Sequence, residues 1–255
     1  TQGVRSATDS SMWSIVCSPR VCQQLAGSDT LQAILEGSHG MIETMFSIPL
    51  VQYSLDNWAE RKQGFLDLMS EFRMITGNET VASSYTVDVT VSDMMDRRRA
   101  VDEMTKLLRP EMSRFGHEFG CDPVMVHSWF ERASTQMYHP PHTHGHGGWS
   151  AVLYIDFDPM VHNSTIFVSP FNHFIEGTQL QYRPGVKEGD LVLFPSFLLH
   201  YTQPNESDKK RTVASFNMSV NSDNIPESWV LTGDKNNGNV KRKRNSIGGD
   251  LDAFG

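Results

Sequence analysis

Residues 189–220, GDLVLFPSFLLHYTQPNESDKKRTVASFNMSV, hold two strand patterns that decide the fold. The run 191–195 is apolar throughout and follows a Gly-Asp turn, so an apolar strand is predicted there. Along 211–220 the side chains alternate between an apolar face and a face that begins with Arg211 and ends with Asn217. A guanidinium and an amide are unusual in a core, so this second face is predicted to line a polar pocket.

Short strand patterns separated by turn residues continue on the N-terminal side of this stretch. Each is about 6 to 9 residues long, as β-strands usually are. These patterns cover 123–131, 150–157, 164–169 and 178–183. The two strand patterns of the first stretch, 190–195 and 211–220, complete the set. This spacing indicates a β-barrel or sandwich.

Helices are predicted beside these strands. The segment 45–55, MFSIPLVQYSL, is predicted to be a strand that leads into a helix near 56–74. Alternation over 85–91 predicts another strand, and a second amphipathic helix follows from about Ser92. Pro110 lies inside this second pattern and is expected to kink the helix or restart it. The fold class is therefore mainly β with flanking helices (α+β).

The two ends of the chain differ from its centre. Residues 1–44 are predicted to be an N-terminal leader with one short helix at 29–36. Residues 226–255 are rich in Gly and Asn and include the basic run 241–244, so a flexible C-terminal tail is expected there. The domain proper is placed at 45–225.

Composition narrows the function classes. The 22 Lys and Arg residues against 30 Asp and Glu residues give a net charge of −8, which argues against a nucleic-acid partner. The sequence contains no run of about 18 apolar residues, so no membrane span is predicted. The three cysteines show neither metal-type nor disulfide-type spacing, which favours a reducing, cytoplasmic location.

Four histidines crowd the segment 138–156, YHPPHTHGHGGWSAVLYID. Imidazole is the commonest protein ligand of mid-row transition metals. On an extended strand, His142 and His144 point to the same side because side chains alternate with period two. The cluster therefore predicts a metal site.

A third metal ligand is offered by His200, which ends the apolar strand of the first stretch. Eleven residues later, Arg211 opens the next strand. A buried arginine needs an anionic partner, and a bound carboxylate would serve.

These residues together resemble a known family. The matching stretches are Trp129, HTH at 142–144, SAVLY at 150–154, RPGVKEGDLVLFPSFLLH at 183–200 and RTVASFN at 211–217. They resemble the Fe(II)- and 2-oxoglutarate-dependent oxygenases, and in particular their small bacterial and phage branch. The likeness covers about 45–225 and implies a double-stranded β-helix core, also called a jelly roll or cupin-like core.

The resemblance implies Fe(II), 2-oxoglutarate and O2 as cofactors and co-substrates. His142 and His200 would hold the iron, and His144 stands where most of the superfamily has Asp or Glu. Three readings of this departure stay open: a three-histidine site, recruitment of Asp156 or Glu176, or a degenerate or non-iron site. Halogenation is not expected, because relatives with that activity have a small residue at this position.

The resemblance also implies roles for residues around the metal. For the co-substrate the expected residues are Arg211 at the distal carboxylate, Tyr154 as a hydrogen-bonding partner, and Ser215 and Asn217 along the same wall. The substrate rim is expected to include His139, His146 and Trp149, whereas Trp129 is expected in the core.

The predicted function is hydroxylation of an unidentified small-molecule or peptide substrate, with release of succinate and CO2. One alternative is a three-histidine, cupin-like dioxygenase that does not use 2-oxoglutarate. Another is a non-catalytic β-barrel binding or structural module that keeps a metal for stability. The sequence predicts neither the substrate nor the oligomeric state.

Overall fold

Two antiparallel sheets and three helices make up the part of the chain that the structure describes. The structure is a computed structural model, and it describes residues 47–75, 88–91 and 94–221. The helices are α1 (Trp58–Ser70), α2 (Met94–Leu107) and α3 (Arg109–Phe119). The strands are β1 (Val51–Ser54), β2 (Arg73–Ile75), β3 (Asp88–Val91), β4 (Asp122–Ala133), β5 (Trp149–Asp156), β6 (Ile166–Asn172), β7 (Gln179–Tyr182), β8 (Asp190–Pro195), β9 (His200–Tyr201) and β10 (Arg211–Asn221).

The chain crosses between the two sheets several times. The larger sheet has seven strands in the order β1-β8-β5-β10-β4-β3-β2, and the smaller has three in the order β7-β6-β9. After β5 the chain enters the smaller sheet for β6 and β7, returns for β8, leaves again for β9 and returns for β10. This alternation places β8 beside β5 in the larger sheet and β9 beside β6 in the smaller sheet. The predicted class, mainly β with flanking helices, is confirmed.

Alternation along the central strands divides their side chains between two cores. Leu191 and Leu193 of β8 lie in the core shared with the helices, whereas Val192 and Phe194 lie in the core between the sheets. Strand β10 divides in the same way. A strand of period two that is covered on both faces must be apolar on both faces, which explains the continuous apolar run in β8.

The helical region breaks where the sequence predicts. Helix α2 ends at Leu107 and α3 begins at Arg109, so Pro110 occupies the first turn of a new helix. Proline is tolerated there because the backbone N–H groups of a first turn have no partner within the helix. Helix α3 ends at Gly120, which adopts the left-handed conformation with φ of 60°.

The prediction of a helix near 56–74 is wrong at the C-terminal end of that helix. Helix α1 stops at Ser70, and Met74 lies in β2, opposite Thr90 of β3. Phe72 continues the apolar spacing of the helix, but pairing of β2 with a distant strand overrides that local preference.

Several predictions fall partly or wholly outside the described residues. The strand predicted at 85–91 is described only over 88–91, as β3. The leader 1–44, its helix at 29–36 and the tail 226–255 lie outside the described ranges, so the domain boundaries stay predictions. Within those ranges no helix is long and apolar enough to cross a membrane.

Candidate metal centre

The three predicted metal ligands converge in space. The ligand nitrogens of His142, His144 and His200 all lie within 4.8 Å of one another. Backbone hydrogen bonds bring them together: His142 and His200 exchange two N–H···O bonds, each of 3.0 Å. The N–H of His144 donates to the carbonyl of Ser196 at 2.9 Å. The loop after β4 is thus paired with the chain that enters β9.

The loop that carries His142 and His144 is fixed by close backbone packing at Gly148. This glycine has a φ of 85°, and a Cβ placed on it would lie 2.5 Å from the carbonyl oxygen of Met218. Its own carbonyl accepts a hydrogen bond of 3.1 Å from the N–H of Ser196. Glycine is therefore required here both for its conformation and for the close approach to β10.

Two of the rings have a defined orientation toward the cavity. The Nδ1 atoms of His142 and His200 lie 2.8 Å from the carbonyl oxygens of Pro140 and Leu198, respectively. A carbonyl can only accept, so each Nδ1 carries the proton and each Nε2 presents a lone pair. A hydrogen bond from the ring nitrogen that does not bind the metal is the usual way in which proteins orient metal-binding imidazoles. These residues therefore fit a bound transition metal.

The electrostatics of the cluster favour neutral imidazoles. Burial, with the nearby His139, lowers the pKa of His142 from 6.5 to about 4. Burial and the neighbouring His142 lower the pKa of His144 to about 4 as well. The same two causes lower the pKa of His200. Neutral imidazole is the form that binds metals.

The carboxylates considered as a third ligand lie elsewhere. The Oδ1 atom of Asp156 is 2.8 Å from the ammonium of Lys62, on the side of the sheet where α1 packs. Glu176 is exposed in the turn between β6 and β7. In the described part of the chain neither one joins the histidine group. The geometry favours the three-histidine reading.

Arg211 lies in the same cavity as the histidines. Its side chain is buried, with 4% of the residue exposed. Its Nη1 donates to the carbonyl of Asn163 and its Nη2 to the hydroxyl of Thr202, both at 3.0 Å, while Nε has no hydrogen-bond partner. Within the described ranges no carboxylate forms an ion pair with it, and burial lowers the pKa of Arg211. The guanidinium fits an anionic ligand that enters from the cavity.

The other predicted co-substrate residues divide into two groups. Tyr154 and Ser215 are buried and line the cavity. The hydroxyl of Tyr154 donates to the hydroxyl of Thr165 at 3.1 Å and accepts from the N–H of Thr165 at 3.2 Å. Asn217 lies outside the lining, and its amide oxygen accepts a hydrogen bond from Ser150. The predicted role of Asn217 is therefore not supported by its position.

The predicted substrate rim needs correction at two of its three residues. Trp149 is buried in the core shared with the helices, where its ring meets those of Phe115 and Phe119 at centroid distances of 4.9 and 5.1 Å. Its position at the start of β5 turns the large side chain inward. His139 is also buried; it stacks on His142 and lines the same cavity as the three ligands rather than an exposed rim. His146 is exposed, in keeping with the prediction.

Two residues of β4 line the cavity although the sequence analysis assigned neither of them to it. Trp129, predicted to lie in the core, lines the cavity, and its ring centroid is 5.4 Å from that of His144. Glu131 lies two residues further along the same strand face and is buried, with 6% exposed. The available signal was a glutamate two residues after a tryptophan, on the same face near the end of a predicted strand.

Burial alone would raise the pKa of Glu131, but the nearby imidazole of His139 and hydrogen bonds from His139 and Trp129 lower it well below the usual range. The Nδ1 of His139 lies 3.2 Å from Glu131 Oε2, and the indole Nε1 of Trp129 lies 2.7 Å from Oε1. Glu131 is therefore ionised at neutral pH, and both of its oxygens are engaged.

A family comparison covers the whole of this site. Residues 127–217 match the family model described as "Putative 2OG-Fe(II) oxygenase". The resemblance to the 2OG-Fe(II) oxygenases is confirmed. Proteins of this superfamily use Fe(II), 2-oxoglutarate and O2, which are the predicted cofactor and co-substrates. Membership of the bacterial and phage branch stays a prediction.

Solved structures of 2-oxoglutarate-dependent enzymes share the fold. The alpha-ketoglutarate-dependent epimerase SnoN from nogalamycin biosynthesis has a TM-score of 0.51 and 14% identity, over 66% of this chain and 76% of that chain. HygX from Streptomyces hygroscopicus, solved with nickel, 2-oxoglutarate and hygromycin B, has a TM-score of 0.50 and 10% identity, over 75% of this chain and 87% of that chain. At such low identity the likeness shows the fold alone, and it confirms the double-stranded β-helix. No curated protein matches this chain.

Proposed function

We propose that the chain is an Fe(II)- and 2-oxoglutarate-dependent oxygenase that hydroxylates a small-molecule or peptide substrate. The observation that carries this proposal is one cavity lined by three converging imidazoles and by a buried guanidinium. The imidazoles suit a mid-row divalent metal, and the guanidinium suits the far carboxylate of a dicarboxylic acid.

In this proposal His142, His144 and His200 hold the iron. Their backbone pairing fixes the spacing of the nitrogens before any metal arrives, and the carbonyls of Pro140 and Leu198 hold two of the rings with Nε2 toward the cavity. When bound, the iron together with O2 and 2-oxoglutarate supplies an oxidant for C–H bonds, with succinate and CO2 as co-products. Three ligands leave coordination positions free for such chemistry.

Arg211 is assigned to the distal carboxylate of 2-oxoglutarate. Its two hydrogen bonds to Asn163 and Thr202 already fix the plane of the guanidinium, so little side-chain entropy is lost when an anion binds. The cavity wall beside it includes Val213 and Phe194, which are buried and apolar. An apolar wall excludes water and strengthens the charge-assisted pair.

Two structural relatives support a small-molecule substrate. SnoN has been solved in complex with Fe3+, alpha ketoglutarate and nogalamycin RO, and HygX with hygromycin B. The outcomes named for the relatives include epimerisation and carbocyclisation. Because enzymes of this fold catalyse different reactions, the assignment of hydroxylation depends on identifying the substrate.

The test is turnover of the co-substrate. The protein, loaded with Fe(II) under argon and then given 2-oxoglutarate and O2, is expected to form succinate slowly even without a prime substrate. Succinate is measured by mass spectrometry, with His200→Ala as the inactive control. A protein that binds Fe(II) and yet forms no succinate, with or without candidate substrates, would contradict the proposal.

The alternative dioxygenase without 2-oxoglutarate shares the three-histidine site. It gives no role to a buried guanidinium in the metal cavity, so Arg211 favours the 2-oxoglutarate enzyme. Binding of 2-oxoglutarate to the metal-loaded protein under argon separates the two: the alternative predicts no binding. The non-catalytic module predicts metal binding with no consumption of O2 under any of these conditions.

A further inference from the structure

The buried carboxylate of Glu131 connects two rings that lie against the candidate metal ligands. Its Oε1 accepts a hydrogen bond from the indole of Trp129, and its Oε2 lies within hydrogen-bond distance of His139. The ring of His139 stacks on that of His142, with centroids 3.9 Å apart and planes 12° apart. The ring of Trp129 lies against that of His144, with centroids 5.4 Å apart. One carboxylate therefore holds the rings that support two different ligands.

Glu131 is the one carboxylate among the described residues that line the cavity. Three neutral imidazoles bring no negative charge to a divalent cation, whereas most members of the superfamily have a carboxylate in the ligand set. With a divalent metal, Arg211 and a dianionic 2-oxoglutarate, the cavity would carry one surplus positive charge. An ionised Glu131 balances this surplus when the imidazoles are neutral.

The hydrogen bonds of Glu131 argue against direct ligation. Each carboxylate oxygen already accepts from a neighbouring ring, and the residue does not belong to the group whose ligand atoms lie within 4.8 Å of one another. Its place is therefore outside the ligand set. A carboxylate behind metal-binding imidazoles is a recurrent means of orienting ligands and raising metal affinity.

We propose that Glu131 is a positioning residue of the metal centre, which orients Trp129 and His139 against the ligand rings and supplies from outside the ligand set the negative charge that the set lacks. This inference rests on the proposed function, because it requires that His142, His144 and His200 bind a metal.

The experiment is a titration of the metal-free full chain with Co(II) alone, under argon and without 2-oxoglutarate. Glu131→Gln keeps the length of the side chain and removes its charge. This variant is expected to raise the Kd for Co(II) by about tenfold to a hundredfold. The visible absorption bands of bound Co(II) are also expected to shift, because the support behind the ligand rings has changed. A purely structural role would leave these bands in place.

Glu111→Gln is the matched control. Glu111 is buried to a similar degree, with 7% exposed, and pairs with Arg61 at 2.7 Å on the helical side of the molecule. Its substitution also removes a buried carboxylate, so it is expected to lower the thermal stability while leaving the Kd for Co(II) and the absorption bands unchanged.

Each outcome decides the inference. A folded Glu131→Gln protein with the Kd and spectrum of the parent would overturn it. If Glu131→Gln does not fold, His139→Phe decides: it keeps a ring beside His142 but removes the bond to Glu131, and an unchanged Co(II) affinity would equally overturn the inference. If the parent chain itself binds no Co(II), the proposed function fails, and that result is distinct from failure of the Glu131 inference alone.

Discussion

At the scale of single residues, the cavity separates metal binding from co-substrate binding. The histidines reach it from the loop after β4 and from β9, whereas Arg211 reaches it from the start of β10. Because the two functions rest on different elements, single substitutions are expected to affect one without the other.

Arg211→Gln is expected to raise the KM for 2-oxoglutarate tenfold or more, since a charge-assisted bond contributes roughly 1.5 to 3 kcal/mol. The Kd for Fe(II) is expected to stay within about twofold. Steady-state succinate formation and metal titration measure the two quantities. Arg183→Gln is the control, because Arg183 is exposed and lies outside the cavity lining. An unchanged KM in Arg211→Gln would remove Arg211 from the co-substrate site.

His142→Ala is expected to abolish binding of Fe(II) at micromolar metal, because two imidazoles form a far weaker site than three. His146→Ala, which alters an exposed histidine of the same loop, is expected to bind like the parent. Metal content after gel filtration measures both. Equal metal content in the two variants would show that the metal lies elsewhere.

The buried imidazoles also predict how the stability of the metal-free protein depends on pH. His142 and His144 have a pKa of about 4 in the folded protein against 6.5 when unperturbed. Between these values the unfolded chain binds protons that the folded chain does not, so the free energy of unfolding falls as the pH drops from about 6.5 to about 4. Urea denaturation across this range measures the slope. Replacing His144 by Asn is expected to make the slope shallower, and a stability that is flat over this range would contradict the prediction.

At the scale of elements, the site depends on loops held by rigid strands. The histidine loop lies between β4 and β5, and close packing of Gly148 against β10 fixes its end. Strand β10 in turn pairs with both β4 and β5, so its alternation sets which side chains face the cavity. The geometry of the site is thus a property of strand register.

Gly148→Ala is expected to weaken metal binding even though it touches no ligand. The added Cβ would approach the carbonyl oxygen of Met218 to 2.5 Å, so the loop must move away from β10. Gly147→Ala is the neighbouring control, because nothing lies within 4 Å of the Cβ it would add. We expect a loss of Co(II) affinity of at least several-fold for Gly148→Ala and none for Gly147→Ala. Equal affinities would show that the loop is not set by this contact.

At the scale of the whole molecule, the candidate metal centre joins segments that are distant in sequence. His142 and His200, which are 58 positions apart in the sequence, meet through backbone pairing, and His200 also belongs to the smaller sheet. A metal bound here would link the loop after β4 to that sheet. Such a ligand stabilises the folded state only, since the unfolded chain does not assemble the site.

Metal binding is therefore expected to raise the Tm. At a free Fe(II) or Co(II) concentration of 100 times the Kd, the stabilisation is about 2.7 kcal/mol. Differential scanning calorimetry of the loaded protein, before and after EDTA, measures the change, and His142→Ala serves as the control that should not respond. If the Tm of the parent protein changes neither on addition of metal nor on addition of EDTA, binding at this site is contradicted.

The sequence by itself determined the class of the fold and most of the site. Apolar runs and alternation follow from side-chain periodicity, which is local, and they predicted the strands that carry Arg211 and His200. The histidine spacing predicted two ligands on one side of a strand, and the place of His200 after an apolar strand offered the third. These inferences needed only chemistry that is visible within a few residues.

Only the tertiary structure decided which of the neighbouring residues face the cavity. The sequence placed Trp149 at the rim and Trp129 in the core, and the structure reverses both, because pairing of β5 and β4 with β10 fixes the face on which each ring lies. The structure also pairs Asp156 with Lys62, and it shows that Glu131 lines the same cavity as the histidines. Register and sheet packing join residues far apart along the chain, and local periodicity carries no information about which distant strand becomes the neighbour.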